Sequence, residues 1–193
     1  MLRFATIAGF AGLALVTASA ASAQDVAALK AEAAAIVGGY GGKLKDALMS
    51  ALEKGGPTAA LDVCNKAAPA IADDVSRGSA WKVARTSLKP RNAASAPDDY
   101  ERKIMEAFNA RIAAGEKASD LASAEIVEQN GRKVFRFVKA IPTASMCLTC
   151  HGAAIAPDVA NKISALYPAD TATGFKAGDM RGVFTLRKAI AAQ

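Results

Sequence analysis

Glu125-Ile126-Val127-Glu128-Gln129-Asn130-Gly131-Arg132-Lys133-Val134-Phe135-Arg136-Phe137-Val138-Lys139-Ala140 is the stretch that decides the class of the fold. Two β-prone runs, 125–129 and 133–140, flank Asn130-Gly131. That dipeptide tolerates the positive φ values of a tight hairpin turn, and between two such runs it is the strongest short-range hairpin signal. Pro142 ends the second run, because it cannot donate to a sheet ladder. The hairpin argues against an all-helical bundle. With helices on either side, it implies an α+β fold.

Upstream, Trp81 to Leu88 reads as a strand, with Trp81, Val83 and Arg85 on one face. Pro97-Asp98-Asp99 opens a helix with Tyr100, Ile104, Phe108 and Ile112 as its core face, and Gly115 lies near its end. Further back, Leu61, Cys64, Ala68, Ile71 and Val75 recur at three- and four-residue spacing and form one apolar stripe. Pro69 should bend that helix. The first helical region, Asp25 to Lys54, carries Gly38-Gly39-Tyr40-Gly41-Gly42. Each helical glycine costs about 1 kcal/mol relative to alanine, so a kink or break is expected there. A second break is expected at Gly55-Gly56-Pro57, which ends one helix and starts the next. Downstream, Pro157 to Leu166 reads as a short helix and Gly182 to Leu186 as a last strand, with Phe184 and Leu186 facing one way.

The N-terminus has the form of an export signal. Arg3 precedes an uncharged, mostly apolar run, Phe4 to Val16, which is too short to span a bilayer. Ala21-Ser22-Ala23 follows the small-x-small cleavage pattern. The expected organisation is therefore a signal peptide over 1–23 and a single domain over 24–193, periplasmic and without membrane insertion after cleavage. Losing 23 of 193 residues leaves 170, enough for one domain with a real core. The net charge of +6 is spread over the chain without a basic block, which argues against nucleic-acid binding.

The chemistry concentrates in Met146-Cys147-Leu148-Thr149-Cys150-His151-Gly152. C-x-x-C-H is the attachment pattern of c-type haem. Two thiols three residues apart on a helical turn can each bond one of the two vinyl groups on a haem edge. The next residue, His151, is then carried under the ring as an iron ligand. One covalent haem c is expected. This attachment occurs outside the cytoplasm, in agreement with the export signal. A thioredoxin-type redox motif would need a βαβ setting that is not evident here. A Cys147–Cys150 disulfide would leave His151 unexplained. Zinc is the more serious rival, since Cys64, Cys147, Cys150 and His151 make a Cys₃His set. Zinc sites usually space the histidine from the cysteines, whereas His151 directly follows one.

The chain has one histidine, so two histidines cannot flank the iron. Cys64, Met49, Met105, Met180 and a lysine remain for the second axial position. Cys64 is the odd cysteine of an exported chain, where thiols tend to pair. A free buried cysteine is also a common core residue. Haem propionates need cationic partners, and Arg85, Lys89, Arg91 and Arg181 are the residues considered for them. Trp81 and Tyr167 are read as core or haem-packing residues.

Three further blocks extend the pattern: L-D-V-C-N-K-A-A-P-A-I-A from Leu61, W-K-V-A-R-T-S-L-K-P-R-N from Trp81, and Y-P-A-D-T-A-T-G-F-K-A-G-D-M-R-G from Tyr167. With A-P-D-D-Y-E and C-L-T-C-H-G, they resemble a family of bacterial haem c proteins with a PAS-like domain, first recognised as a domain of unknown function. The resemblance covers most of the mature chain. It implies a PAS-like antiparallel sheet flanked by helices, with iron held by His151 and Cys64. It also implies redox or gas sensing toward an unknown redox or signalling partner. With a thiolate ligand, ferric iron and the porphyrin dianion make a neutral core, so thiolate should favour the ferric state. Departure of Cys64 on reduction would open a position for carbon monoxide or nitric oxide. The alternatives are a single-electron carrier and a helical cytochrome c′, which the hairpin disfavours. No distal His-Arg pair is available for peroxidase chemistry, and no enzymatic activity is expected.

Overall fold

The computed structural model describes residues 17–190. The apolar run Phe4 to Val16 lies outside them, and the expected cleavage point after Ala23 falls in the first turns of helix α1 (Thr17–Asp62). Helix α2 (Ala68–Arg77) follows a five-residue π-helical turn, Val63–Ala67. Strand β1 (Lys82–Thr86), helix α3 (Asp99–Ala113) and the hairpin strands β2 (Ala122–Gln129) and β3 (Arg132–Pro142) come next. The short helix α4 (Leu148–His151), helix α5 (Pro157–Leu166) and strand β4 (Met180–Ala189) complete the chain. No helix among the described residues is long and apolar enough to cross a membrane.

The four strands form one antiparallel sheet in the order β1-β4-β3-β2. The hairpin forms where Asn130-Gly131 requires it, with φ of 53° and 71° at the two turn residues. Alternation along the strands sends side chains to both faces, and both are covered. On one face Phe135, Phe137, Leu186, Trp81 and Val83 pack with Ala33, Val37 and Tyr40 of α1, and Ile71 and Val75 of α2 add to them. On the other face Val138, Ala140 and Val183 pack with Met105 and Phe108 of α3. The result is α+β, an antiparallel sheet flanked by helices, consistent with a PAS-like fold.

Helix α3 starts at a capping box. The Asp98 carboxylate accepts from the Glu101 backbone N–H, and the Glu101 carboxylate accepts from that of Asp98. Its core face differs from the expected one. Met105 is fully buried, while Tyr100, Ile104 and Ile112 pack at the edges of the cluster. The centre of the stripe is shifted by one residue because Glu101 also turns inward. There it meets Arg136, which is fully buried on β3 and pairs with Glu101 at 3.0 Å and Asp98 at 2.8 Å.

The expected break at Gly38–Gly42 does not occur, and α1 is helical throughout that run. Tyr40 explains why. It is 2% exposed and meets Phe184 edge-to-face at 5.5 Å, and a Cβ on Gly41 would already touch the Phe184 ring at 3.4 Å. Packing against the sheet outweighs the glycine propensities, as tertiary context commonly does. The break comes instead at Gly55 and Gly56, where φ/ψ leave the helical region and Gly56 takes φ of 68°. Only glycine adopts such a conformation without strain. Pro69 is accommodated rather than kinking a regular helix. It lies in the first turn of α2, and the preceding turn is widened so that Ala68 N–H reaches Val63 O.

Candidate functional site

One end of the sheet gathers the site. β1 ends there at Thr86, β3 ends at Pro142 and β4 begins at Met180. Gly182 permits this convergence, since a Cβ on it would lie 2.5 Å from Thr86 O. From Pro142 the chain runs through a 3₁₀ turn, Ser145–Cys147, directly into α4. Cys147, the last residue of the 3₁₀ turn, and Cys150, on α4, thus sit three residues apart on one helical stretch, and His151 ends the helix. All three cysteines are free thiols and half-buried. Gly152 closes the turn with its N–H on Leu148 O at 2.8 Å; a Cβ there would stand 2.6 Å from that same oxygen.

A segment of irregular chain, 170–175, straps the motif. Gly174 N–H donates to Gly152 O and Phe175 N–H to His151 O, both at 3.0 Å. The His151 Nδ1 lies 2.8 Å from Ala172 O. A carbonyl only accepts, so Nδ1 carries the proton and Nε2 keeps its lone pair. Burial, then the positive charges of Arg181 and Arg91, push the His151 pKa down to about 3, with Arg85 adding a smaller effect. The imidazole is therefore neutral at ordinary pH, the form that binds metal. Phe175 packs edge-to-face on the ring at 6.2 Å.

Cys64 lies on the π turn, one helical turn past Leu61. Leu61 packs with Val159 and Ile163 of α5, and Cys150 lies against that same cluster. The Lys162–Asp62 ion pair, 2.8 Å, ties α5 to the end of α1. A charge on Cys64 is felt by Cys150, Tyr167 and Arg181. Burial pushes the Cys150 thiol up, and Arg91 counteracts it. Two of the other axial candidates, Met105 and Met180, lie in the cluster under α3. Met49 is half-buried on α1 ahead of the glycine break. Among the described residues, no three Cys, His, Asp or Glu side chains converge as a metal site of protein ligands alone.

The arginines divide by role. Arg85 is exposed on β1. Arg181 is half-buried over the Phe175 ring at 5.2 Å, and burial followed by its arginine neighbours lowers its pKa to about 10. Arg91 is 6% exposed and engaged by the protein itself. It pairs with Asp170 at 3.2 Å and donates to Cys150 O at 2.6 Å and Ala172 O at 3.2 Å. Its Nη1 is buried without a protein partner. Lys89 reaches Thr173 O and lies over the Phe175 ring at 4.9 Å. The strap and its clamp by Arg91 were invisible to motif reading; the pairing of a loop arginine with Asp170, 79 residues later, leaves no local signal.

A haem fits these residues. Two free thiols stand on one helical turn, the His151 Nε2 lone pair is uncommitted, Cys64 is a third free thiol, and Arg91 Nη1 is an orphaned buried donor. A solved structure titled as that of the cyanobacterial heme-protein Tll0287 resembles the chain with a TM-score of 0.52 and 23% identity. The likeness covers 66% of this chain and 72% of that one, and at this identity it speaks for the fold. No curated protein matches the sequence. The model of the Tll0287-like family matches residues 14–188, nearly the whole length of the fold just described, and the chain belongs to that family.

Proposed function

We propose that this chain is an exported haem c protein that senses redox state or a small gas. The observation that carries the reading is the imidazole of His151, held by Ala172 O with Nε2 free, at the end of the Cys147–Cys150 turn. Cys147 and Cys150 Sγ would hold the haem covalently, and His151 Nε2 and Cys64 Sγ would hold its iron. The haem would supply an iron that changes charge by one electron and binds diatomic gases. Arg181 and the free Nη1 of Arg91 are the donors available to its propionates, with Arg85 nearer solvent. Cys64 supports sensing rather than simple electron carriage. It sits on a π turn, a helical irregularity common at functional sites, and its Sγ would be able to take up a solvent proton and so release the iron.

The test is direct. The mature protein, produced in a host that matures c-type cytochromes, should retain one haem per chain through acid-acetone extraction, read by intact mass. Cys147→Ala or Cys150→Ala should weaken or abolish that retention. Complete loss of pigment from the unmutated protein would overturn the reading.

A further inference from the structure

Arg91 is better placed to govern His151 than to serve as a surface charge. Its guanidinium is 6% exposed and joins two segments 20 residues apart. One Nη2 reaches Cys150 O at 2.6 Å and Ala172 O at 3.2 Å, while Nε meets Asp170 Oδ1 at 3.2 Å. Asp170 Oδ1 in turn accepts from the Ala172 N–H at 2.8 Å, which holds the backbone just before the Ala172 carbonyl. The carbonyl of that residue is also the acceptor for the His151 Nδ1–H. One oxygen therefore takes a proton donor from the imidazole and another from a buried cation.

The sharing has an electronic consequence. A donated hydrogen bond from Nδ1 makes an imidazole more basic and a stronger ligand. A cation drawing on the same carbonyl lowers that oxygen's ability to accept, which weakens the effect. The buried positive charge acts in the same sense, favouring the lower iron charge. Asp170 offsets the cation. Its carboxylate is paired with Arg91 at 3.2 Å, with both side chains almost wholly buried.

We propose that Arg91, with Asp170 as its counter-charge, is a positioning residue that sets the donor strength of His151 through the shared Ala172 carbonyl, and thereby the reduction potential. The inference rests on the haem reading above. It makes the Arg91–Asp170 pair a pair of opposed controls. Removing the cation strengthens the imidazole and leaves an anion beside the site. Removing the anion leaves the cation unopposed.

Spectroelectrochemical titration of the purified holoprotein tests this with Arg91→Gln, Arg91→Lys and Asp170→Asn. Arg91→Gln should make reduction at least tenfold less favourable, a shift of about 59 mV to more negative potential for one electron. Arg91→Lys, which keeps the charge but not the fork, should recover part of that shift. Asp170→Asn should move the potential the other way. It is nearly isosteric, and its amide oxygen can still accept from Arg91 and Ala172, so it tests the idea even where Arg91→Gln fails to fold. Arg111→Gln, at an exposed pair with Glu116, should leave the potential unchanged. A merely structural clamp would lower thermal stability in both kinds of variant without opposite shifts. Potentials that stay fixed, or that move in the same direction in Arg91→Gln and Asp170→Asn, overturn the proposal. Absence of covalent haem in the unmutated protein would instead overturn the functional reading.

Discussion

Cys64 carries the most specific expectation at the scale of single residues. If its thiolate binds iron opposite His151, Cys64→Ala leaves both attachment thiols intact, so haem should remain covalently bound. The sulfur-ligand signature should disappear from the ferric electron paramagnetic resonance spectrum. The potential should rise, since the ferric state loses an anionic ligand. An unchanged ferric spectrum would remove Cys64 from the iron and return Met49, Met105, Met180 and the lysines for testing. On reduction of the unmutated protein, carbon monoxide should bind more readily than to the ferric form. Residues of this kind were legible because cysteine and histidine are rare here and their spacing has a chemical cause. Arg91 was legible only as a candidate propionate partner, and Arg136 not at all. Arginine is common on surfaces, and nothing adjacent in sequence reveals that one is clamped by Asp170 and the other wholly buried against Glu101.

At the scale of elements, local chemistry was legible where it acts locally. Asn130-Gly131 marked the hairpin, Pro157 to Leu166 marked α5, and Gly55-Gly56-Pro57 marked the break before the cysteine-bearing turn. The glycines around Tyr40 misled for a physical reason: their cost is offset by the joint packing of Ala33, Val37 and Tyr40 against the sheet. The widened turn at Val63–Ala67 also escaped, because Pro69 announces a disturbance but not which form it takes. The hairpin offers a quantitative check. Gly131 has φ of 71°, where an L-residue is disfavoured by about 1–2 kcal/mol. Gly131→Ala should therefore destabilise the protein by about 1 kcal/mol in chemical denaturation. β3 has 11 residues and separates this turn from Pro142 by about 35 Å. The ferric absorption spectrum should accordingly be unchanged, and an altered spectrum would mean that the hairpin is not the independent strut it resembles.

For the molecule as a whole, the α+β class followed from one hairpin, and the family resemblance supplied the sheet flanked by helices. Strand order did not follow from periodicity, since pairing β1 with β4 joins runs about a hundred residues apart. Export is the remaining expectation at this scale. Expressed from its own first codon in a Gram-negative host, the protein should appear in the periplasmic fraction with Gln24 as its N-terminus, read by intact mass. A chain retaining Met1 to Ala23 would refute that processing. Maturation should follow location: confinement to the cytoplasm, by deleting 2–23, should give protein without covalent haem.

The glycine pair at 55–56 gives the molecule a joint. Before it, α1 is bolted to the sheet through Ala33, Val37 and Tyr40; after it, Leu61 rests on α5 instead. The two lengths of α1 thus have different foundations. A shift of Cys64 would work against the α5 contacts of Leu61 and Asp62 rather than against Tyr40 on the sheet. Past Cys64 the π turn runs straight into α2, whose Ile71 and Val75 bear on the sheet. A displacement at the thiol would therefore meet a glycine joint toward the N-terminus and sheet-packed helix toward β1.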